Sequence, residues 1–173
     1  VVMLLVWQLF HYAVGREALT SPLQTLERAK SLFATQAFWL HAQETLEALV
    51  IALVFAIFGG AVIGLFLGFN KRAGEIVAPM FVALQSTPKV TLYPVILLFF
   101  GLGFSAKVAF GALHGVIPMT LITYNATRSI NPTLVRSAKG MRLTLLQTFM
   151  TVFVPATIPE LVTAVRLSFS ITF

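Results

Sequence analysis

ALVIALVFAIFGGAVIGLFLGF, residues 48–69, runs for twenty-two residues without a charge. About twenty apolar residues cross the hydrocarbon core of a bilayer as a helix, so this stretch reads as a membrane span. Gly60, Gly64 and Gly68 recur at every fourth position and line one face, which predicts close approach of a second helix there. Working outward, three more runs reach or come near that length. Residues 76–103 are apolar apart from an interruption at Pro88 and Lys89. With Pro94 also present, this span is expected to break, and lipid tolerates a break only where protein or water satisfies the freed carbonyls. It is therefore expected to face the protein interior. Residues 108–127 carry His114 and Pro118, and residues 151–173 are interrupted by Pro155, Pro159, Glu160 and Arg166. The opening residues 1–14 read as the end of a further span. The expected fold is an all-α membrane protein, a polytopic bundle of about five spans in a single domain over residues 1–173.

Composition agrees. Hydrophobic residues make up 58% of the 173 and charged residues 10%, against roughly 25% charged in a soluble domain. The net charge of +6 is spread between apolar spans with no basic stripe, which argues against a nucleic-acid partner and for orientation signals. The absence of cysteine removes disulfides, thiol catalysis and cysteine metal sites. No basic residue precedes the first apolar run and no A-x-A-like site closes it, so it does not read as a secretory leader. Both ends are expected to be cut from something longer, since the last residues, LSFSITF, stop inside an apolar run.

The connections carry the charge. Residues 15–47 hold Arg16, Glu17, Glu27, Arg28 and Lys30 around Leu19, Leu23, Leu26 and Leu32, which predicts an amphipathic segment on the membrane surface. Lys71, Arg72, Arg128, Arg136, Lys139 and Arg142 face only one acid, Glu75, and by the positive-inside rule their side is cytoplasmic. Arg16, Arg28, Lys30 and Lys107, offset by Glu17, Glu27, Glu44 and Glu47, fall on the exterior side. A multi-pass plasma-membrane protein is expected.

No residue set suggests catalysis or a metal. His11, His41 and His114 lie in different segments, aspartate is absent and the six glutamates are dispersed. There is no G-x-x-x-x-G-K-[ST] phosphate loop, so any ATP is expected on another chain. Glu160 and Arg166 lie six residues apart within an apolar run, about 240° around a helix, which disfavours their pairing. Glu160 reads as reaching headgroup water. Arg166 reads either as part of a solute path or as satisfying carbonyls between helices. His114 and Tyr124 are candidates for the same path, with a structural hydrogen bond the alternative for the histidine.

Between Ala83 and Arg166 four stretches, LQSTPKVTLYPVILLFFGLGFSAKVAF (84–110), IPMTLITYNATRSINPTLVRSAKGM (117–141), FVPATIP (153–159) and LVTAVRLSFS (161–170), follow one another in an order and spacing that carry a resemblance. The sequence resembles the membrane subunits of binding-protein-dependent ABC importers, nearest to the branch handling sulfonates, taurine and nitrate. The resemblance implies a six-span permease fold, of which about five spans are present, with the plasma membrane of a bacterium as its location. It also implies two permease copies as a homodimer, cytoplasmic ATPase subunits that bind ATP and Mg, and an extracytoplasmic solute-binding protein. The substrate implied is a small anionic or zwitterionic solute, and the chain itself is a non-catalytic subunit without a cofactor.

In that family a cytoplasmic coupling helix, within the loop at about 128–150 here, sits in a groove of the ATPase. Anchored on Pro155, the family's glutamate falls at Arg136, its alanine at Ala138 and its glycine at Arg142, so two of the three signature positions depart from the pattern. Read from the residues, Asn131-Pro132 starts a helix over 131–146. Leu134, Ala138, Met141 and Leu145 then repeat at three- and four-residue steps as an apolar docking face, while Arg136, Lys139 and Arg142 engage acidic rim residues. The plainer reading of this loop is a basic connection that only obeys the charge rule. An ion-coupled secondary transporter or channel, and a degenerate subunit that does not transport, are the alternative functions.

Overall fold

The computed structural model describes residues 2–15 and 18–172, so Arg16 and Glu17 of the amphipathic segment, Val1 and Phe173 lie outside it. Helices α1 (Val2–Val14), α2 (Pro22–Phe33), α3 (Gln36–Phe69) and α4 (Lys71–Ser86) are followed by a 3-10 turn (Lys89–Leu92). Then come α5 (Tyr93–Phe100), α6 (Phe104–Arg128), α7 (Pro132–Gly140), α8 (Leu145–Thr148), a π turn (Phe149–Phe153) and α9 (Val154–Thr172). Among the described residues three helical stretches, Gln36–Phe69, Phe104–Arg128 and Leu145–Thr172, are long and apolar enough to cross a membrane, and α4 with the 89–100 segment makes a fourth if the bent pair is one span. The N-terminal helix α1 has thirteen residues and falls short of that length. The chain divides into two compact units, one up to Thr45 and the other from Leu46 onward.

In the first unit only residues 22–33 of the expected surface segment form a separate amphipathic helix, and residues 36–47 already belong to α3. The helix α2 starts with a reciprocal cap, Gln24 N–H donating to Ser21 Oγ and Ser21 N–H donating to Gln24 Oε1, both at 3.2 Å. Leu23, Leu26 and Leu32 are exposed, as an interfacial helix requires. The buried His11 lies with Nδ1 2.5 Å from the Leu19 carbonyl, and Trp7 Nε1–H donates to the Thr20 carbonyl at 3.1 Å.

The second unit is assembled by size. In lipid no hydrophobic force separates one apolar face from another, so helices associate where small side chains let backbones close. Ala48, Ala52, Ala56, Gly60, Gly64 and Gly68 are all buried, while Val50, Val54, Phe58, Val62 and Phe66 on the other face of α3 are exposed. A side chain placed on Gly60 would meet Met119 Cβ at 2.6 Å, and one on Gly64 would meet Thr123 Cβ at 2.6 Å; Gly68 lies against Thr127. Gly111 and Gly115 continue the seam against Ala52 and Ala56.

These pairs rise together along both chains, so α3 and α6 run parallel. Their last residues, Phe69 and Arg128, therefore lie at one end. By the same logic α9 is antiparallel to α6, since Gly111 approaches Thr172 and Ser168 Oγ–H donates to the Gly115 carbonyl at 3.2 Å. The bent pair is antiparallel too, with Gly74 against Tyr124 at one end and the Tyr93 and Phe110 rings 5.0 Å apart toward the other.

The bend between α4 and the 89–100 segment is 96°, at the proline where the sequence predicts it. Within this single chain the break lies on the surface. Gln85, Ser86, Thr87, Pro88, Val90 and Thr91 are exposed and Lys89 is half-buried. The physical reason is that α4 packs on α6 through Gly74 and Ala78 near its start, and among the described residues nothing covers its far end.

Candidate functional site

The parallel seam gathers six of the second unit's nine basic residues at one end: Lys71 and Arg72 open α4, Arg128 closes α6, and Arg136, Lys139 and Arg142 follow in the next loop. Glu75 pairs with Lys71 at 3.9 Å, but both are exposed, and such a pair contributes little. The positive field of this end is left nearly whole.

Asn131 caps α7, its Oδ1 accepting from Thr133 N–H at 2.9 Å, and Pro132 occupies the first turn, where its missing N–H costs nothing. The expected helix over 131–146 is, however, two helices. The first, α7, ends at Gly140, and Arg142 adopts φ 54°, the left-handed region. Leu143 N–H reaches back to the Ala138 carbonyl at 3.1 Å and Arg142 N–H to the Lys139 carbonyl at 3.0 Å, the paired bonds of a Schellman termination. Thr144 then caps α8 reciprocally with Gln147. Leu134, Ala138, Met141 and Leu145 thus do not share one helix face. Ala138 is buried, with half-buried Val135 and Leu143 on the inward side. Leu134, Met141 and Leu145 are 48%, 71% and 77% exposed amid the cations.

Arg142, where the resemblance leads one to expect a glycine, is the residue of this loop whose backbone is left-handed. The glycine in this loop, Gly140, sits two residues earlier, inside α7. That misplacement hides the turn from a search for glycine stops, whereas the T-x-x-Q pattern of Thr144 and Gln147 is a legible restart that the 131–146 reading passed over.

Beneath the loop, the π turn widens the chain just before Pro155, with Val154 N–H bonded to the Phe149 carbonyl. A proline donates no hydrogen bond and its ring crowds the carbonyl four residues back, so the turn before it opens. Phe69 at the end of α3 packs edge-on against Phe149 and Phe153, with ring centroids at 5.5 and 5.0 Å. A cleft of about 340 Å³ between these elements is lined by Phe69, Arg128, Val135, Arg136, Lys139 and Phe153.

The three candidate path residues are not brought together. His114 donates from Nδ1–H to the Phe110 carbonyl at 3.0 Å, and its ring lies 4.2 Å from that of Phe110. Tyr124, ten residues on along α6, or about 15 Å, packs on Gly74 and lines a cleft of about 560 Å³ with Glu75, Pro79, Gln85 and Asn125. Arg166 and Glu160 are exposed on α9, and Arg166 points away from the face that buries Ala164 and Ser168. Gln85 and Asn125 had no sequence signal, because a single polar residue in an apolar run does not say which neighbour it meets.

The sequence model of a family described as binding-protein-dependent transport system inner membrane component matches residues 56–173. The formylaminopyrimidine transport permease protein ThiX of Halalkalibacterium halodurans is 30% identical over 96% of this chain and 66% of its own length. The taurine transport system permease protein TauC of Escherichia coli is 24% identical over 98% of this chain and 64% of its own. ProW of Escherichia coli, a glycine betaine/proline betaine transport system permease protein, is 27% identical over 94% of this chain and 44% of its own. The chain thus spans less than two thirds of the length of each of these three relatives.

Proposed function

The chain belongs to the family of binding-protein-dependent transport system inner membrane components, and from that premise we propose that it is the multi-pass permease subunit of an ATP-driven importer in the plasma membrane. One observation carries the reading: Leu134, Met141 and Leu145 protrude, uncovered, from the most basic part of the molecule. Large apolar side chains exposed beside cations mark a protein-docking surface. The occupant we propose is a cytoplasmic ATPase that binds ATP and Mg on its own residues, with Asn131, Pro132 and Ala138 shaping the loop and Arg136, Lys139 and Arg142 meeting acidic groups on its rim.

The packing supplies a route for force. A push on α7 reaches the π turn it packs against, and from there acts through Phe149, Phe153 and Phe69 on the ends of α9 and α3. Two copies of the chain then form the path, a solute-binding protein delivers the solute outside, and ATPase closure selects between two packings of similar free energy. Relatives named for taurine, betaines and formylaminopyrimidine leave the solute a small polar molecule, and within that range we propose an anionic or zwitterionic one such as taurine, a sulfonate or nitrate.

The bent α4–α5 pair favours a second reading, since ion-coupled transporters also use broken helices. The break here carries a lysine, and no acidic residue lies between Glu75 and Glu160 to hold a sodium ion or proton. Reversing Arg136, Lys139 and Arg142 to glutamate decides between them. We expect co-purification of the ATPase to fall at least about tenfold, one or two lost charge-assisted contacts, and uptake with it. Unchanged assembly and uptake would overturn the ATPase reading.

A further inference from the structure

The surface break in the α4–α5 pair has no place in the coupling described above, yet it is the least lipid-compatible part of the second unit. Six consecutive residues, Gln85 to Val90, are exposed except for the half-buried Lys89, and Thr91 is exposed beside them. Ser86 and Thr87 hydroxyls both donate to the Ala83 carbonyl at 2.9 Å and the Thr91 hydroxyl to that of Pro88 at 2.7 Å. Both carbonyls also accept a backbone N–H, from Thr87 and Thr91, and the other carbonyls of the last turn of α4 have no in-helix partner. A broken backbone, an amide and an ammonium cannot be left against hydrocarbon.

Depth follows from register. The first residues of α4 lie at the basic end, and its sixteen residues rise about 24 Å from there. Tyr93, just past the break, lies against Phe110, six residues or about 9 Å inside the far end of α6. The break therefore sits within the membrane, in the half away from the basic loops. Lys89 has no carboxylate partner among the described residues.

We propose that the exposed break from Ser86 to Leu92 is a wetted wall of the solute path and that Lys89 is the group there that attracts an anionic solute. This rests on the permease reading and sharpens it, placing a positive charge, unbalanced by any nearby acid, in the outward half of the path. A lysine is suited to this task as a hydrated point charge that attracts a small oxyanion without a fixed geometry. The three threonine and serine hydroxyls around it give their protons to backbone carbonyls, and their oxygens can accept from the water that hydrates the anion and the ammonium.

The 173 residues contain no cysteine, so introduced thiols can be read one at a time in membrane vesicles of the assembled transporter. Thr87→Cys and Thr91→Cys are each compared with Val62→Cys, on the exposed apolar face of α3, using membrane-impermeant methanethiosulfonates of negative and positive charge. Both break variants are expected to react at least about tenfold faster than the Val62→Cys control. When Lys89→Gln is added to Thr91→Cys, the anion-to-cation rate ratio of the thiol is expected to fall at least about tenfold, because one nearby unit charge both speeds the anion and slows the cation. Lys89→Arg is expected to keep the ratio. Break positions as inert as the control on α3 would overturn the path assignment, and a ratio indifferent to Lys89→Gln would overturn the role of the lysine. Neither readout requires knowledge of the solute, and failure of the permease reading would show separately, in loss of the ATPase from the wild-type preparation.

Discussion

Arg142 holds a backbone conformation that an L-residue adopts at a cost of roughly 1–2 kcal/mol, and that glycine adopts freely. It does so because the Schellman bonds to Ala138 and Lys139 require a left-handed residue at that point, whatever side chain the sequence supplies. Arg142→Gly is accordingly expected to stabilise the loop by about 1 kcal/mol, seen as slower proteolysis between α7 and α8. Arg142→Ala keeps the strain and is expected to give no such protection, so equal protection by both variants would mean that the charge, not the φ angle, is what matters. The sequence carries an arginine where the resemblance leads one to expect a glycine. It does not show that the left-handed turn persists without it, because that depends on hydrogen bonds closing across five residues.

At the scale of the helix, α3 is apolar all round from Ala48 onward, and its two faces there differ in size instead of polarity. The every-fourth-residue ladder from Ala48 to Gly68 is visible in the sequence once small residues are counted together, although glycines alone reveal only its second half. Its partner is not visible, since α6 meets it with Gly111, Gly115, Met119, Thr123 and Thr127, a set with no shared chemistry. Gly64→Ala places a methyl group 2.6 Å from the Thr120 carbonyl oxygen, a backbone atom that cannot move without moving α6. It is expected to cost about 1–3 kcal/mol in reversible unfolding in mixed micelles. Phe66→Ala, on the exposed face, is expected to change stability by less than about 0.5 kcal/mol. Equal effects would mean that the seam is not what holds the pair.

For the molecule as a whole, parallel packing of α3 and α6 decides how the chain is threaded. If their C-terminal ends share a side, the chain between them has to cross back, and the bent α4–α5 pair is a full crossing and not a re-entrant hairpin. In intact cells or sealed right-side-out vesicles, the single variants Arg72→Cys and Ser129→Cys are expected to stay hidden from an impermeant maleimide until the membrane is opened. Leu102→Cys, at an exposed position between α5 and α6, is expected to react from outside. Arg72 and Ser129 positions on opposite sides would sink both the crossing and the depth assigned to Lys89.

Hydropathy and charge placement were enough to identify a bilayer protein, to place the apolar body of each span in the second unit, though α3 starts twelve residues before Ala48, and to assign the basic loops to one face. Those properties follow from local composition, because the free energy of putting a segment into lipid is close to a sum over its own residues. The same sum could not say that the 131–146 helix would close at Gly140, that His114, Tyr124 and Arg166 would point to three different surroundings, or that the proline break would lie uncovered. Each of those depends on which backbone groups find partners and which small faces meet, and such pairings exist only once distant segments are packed together.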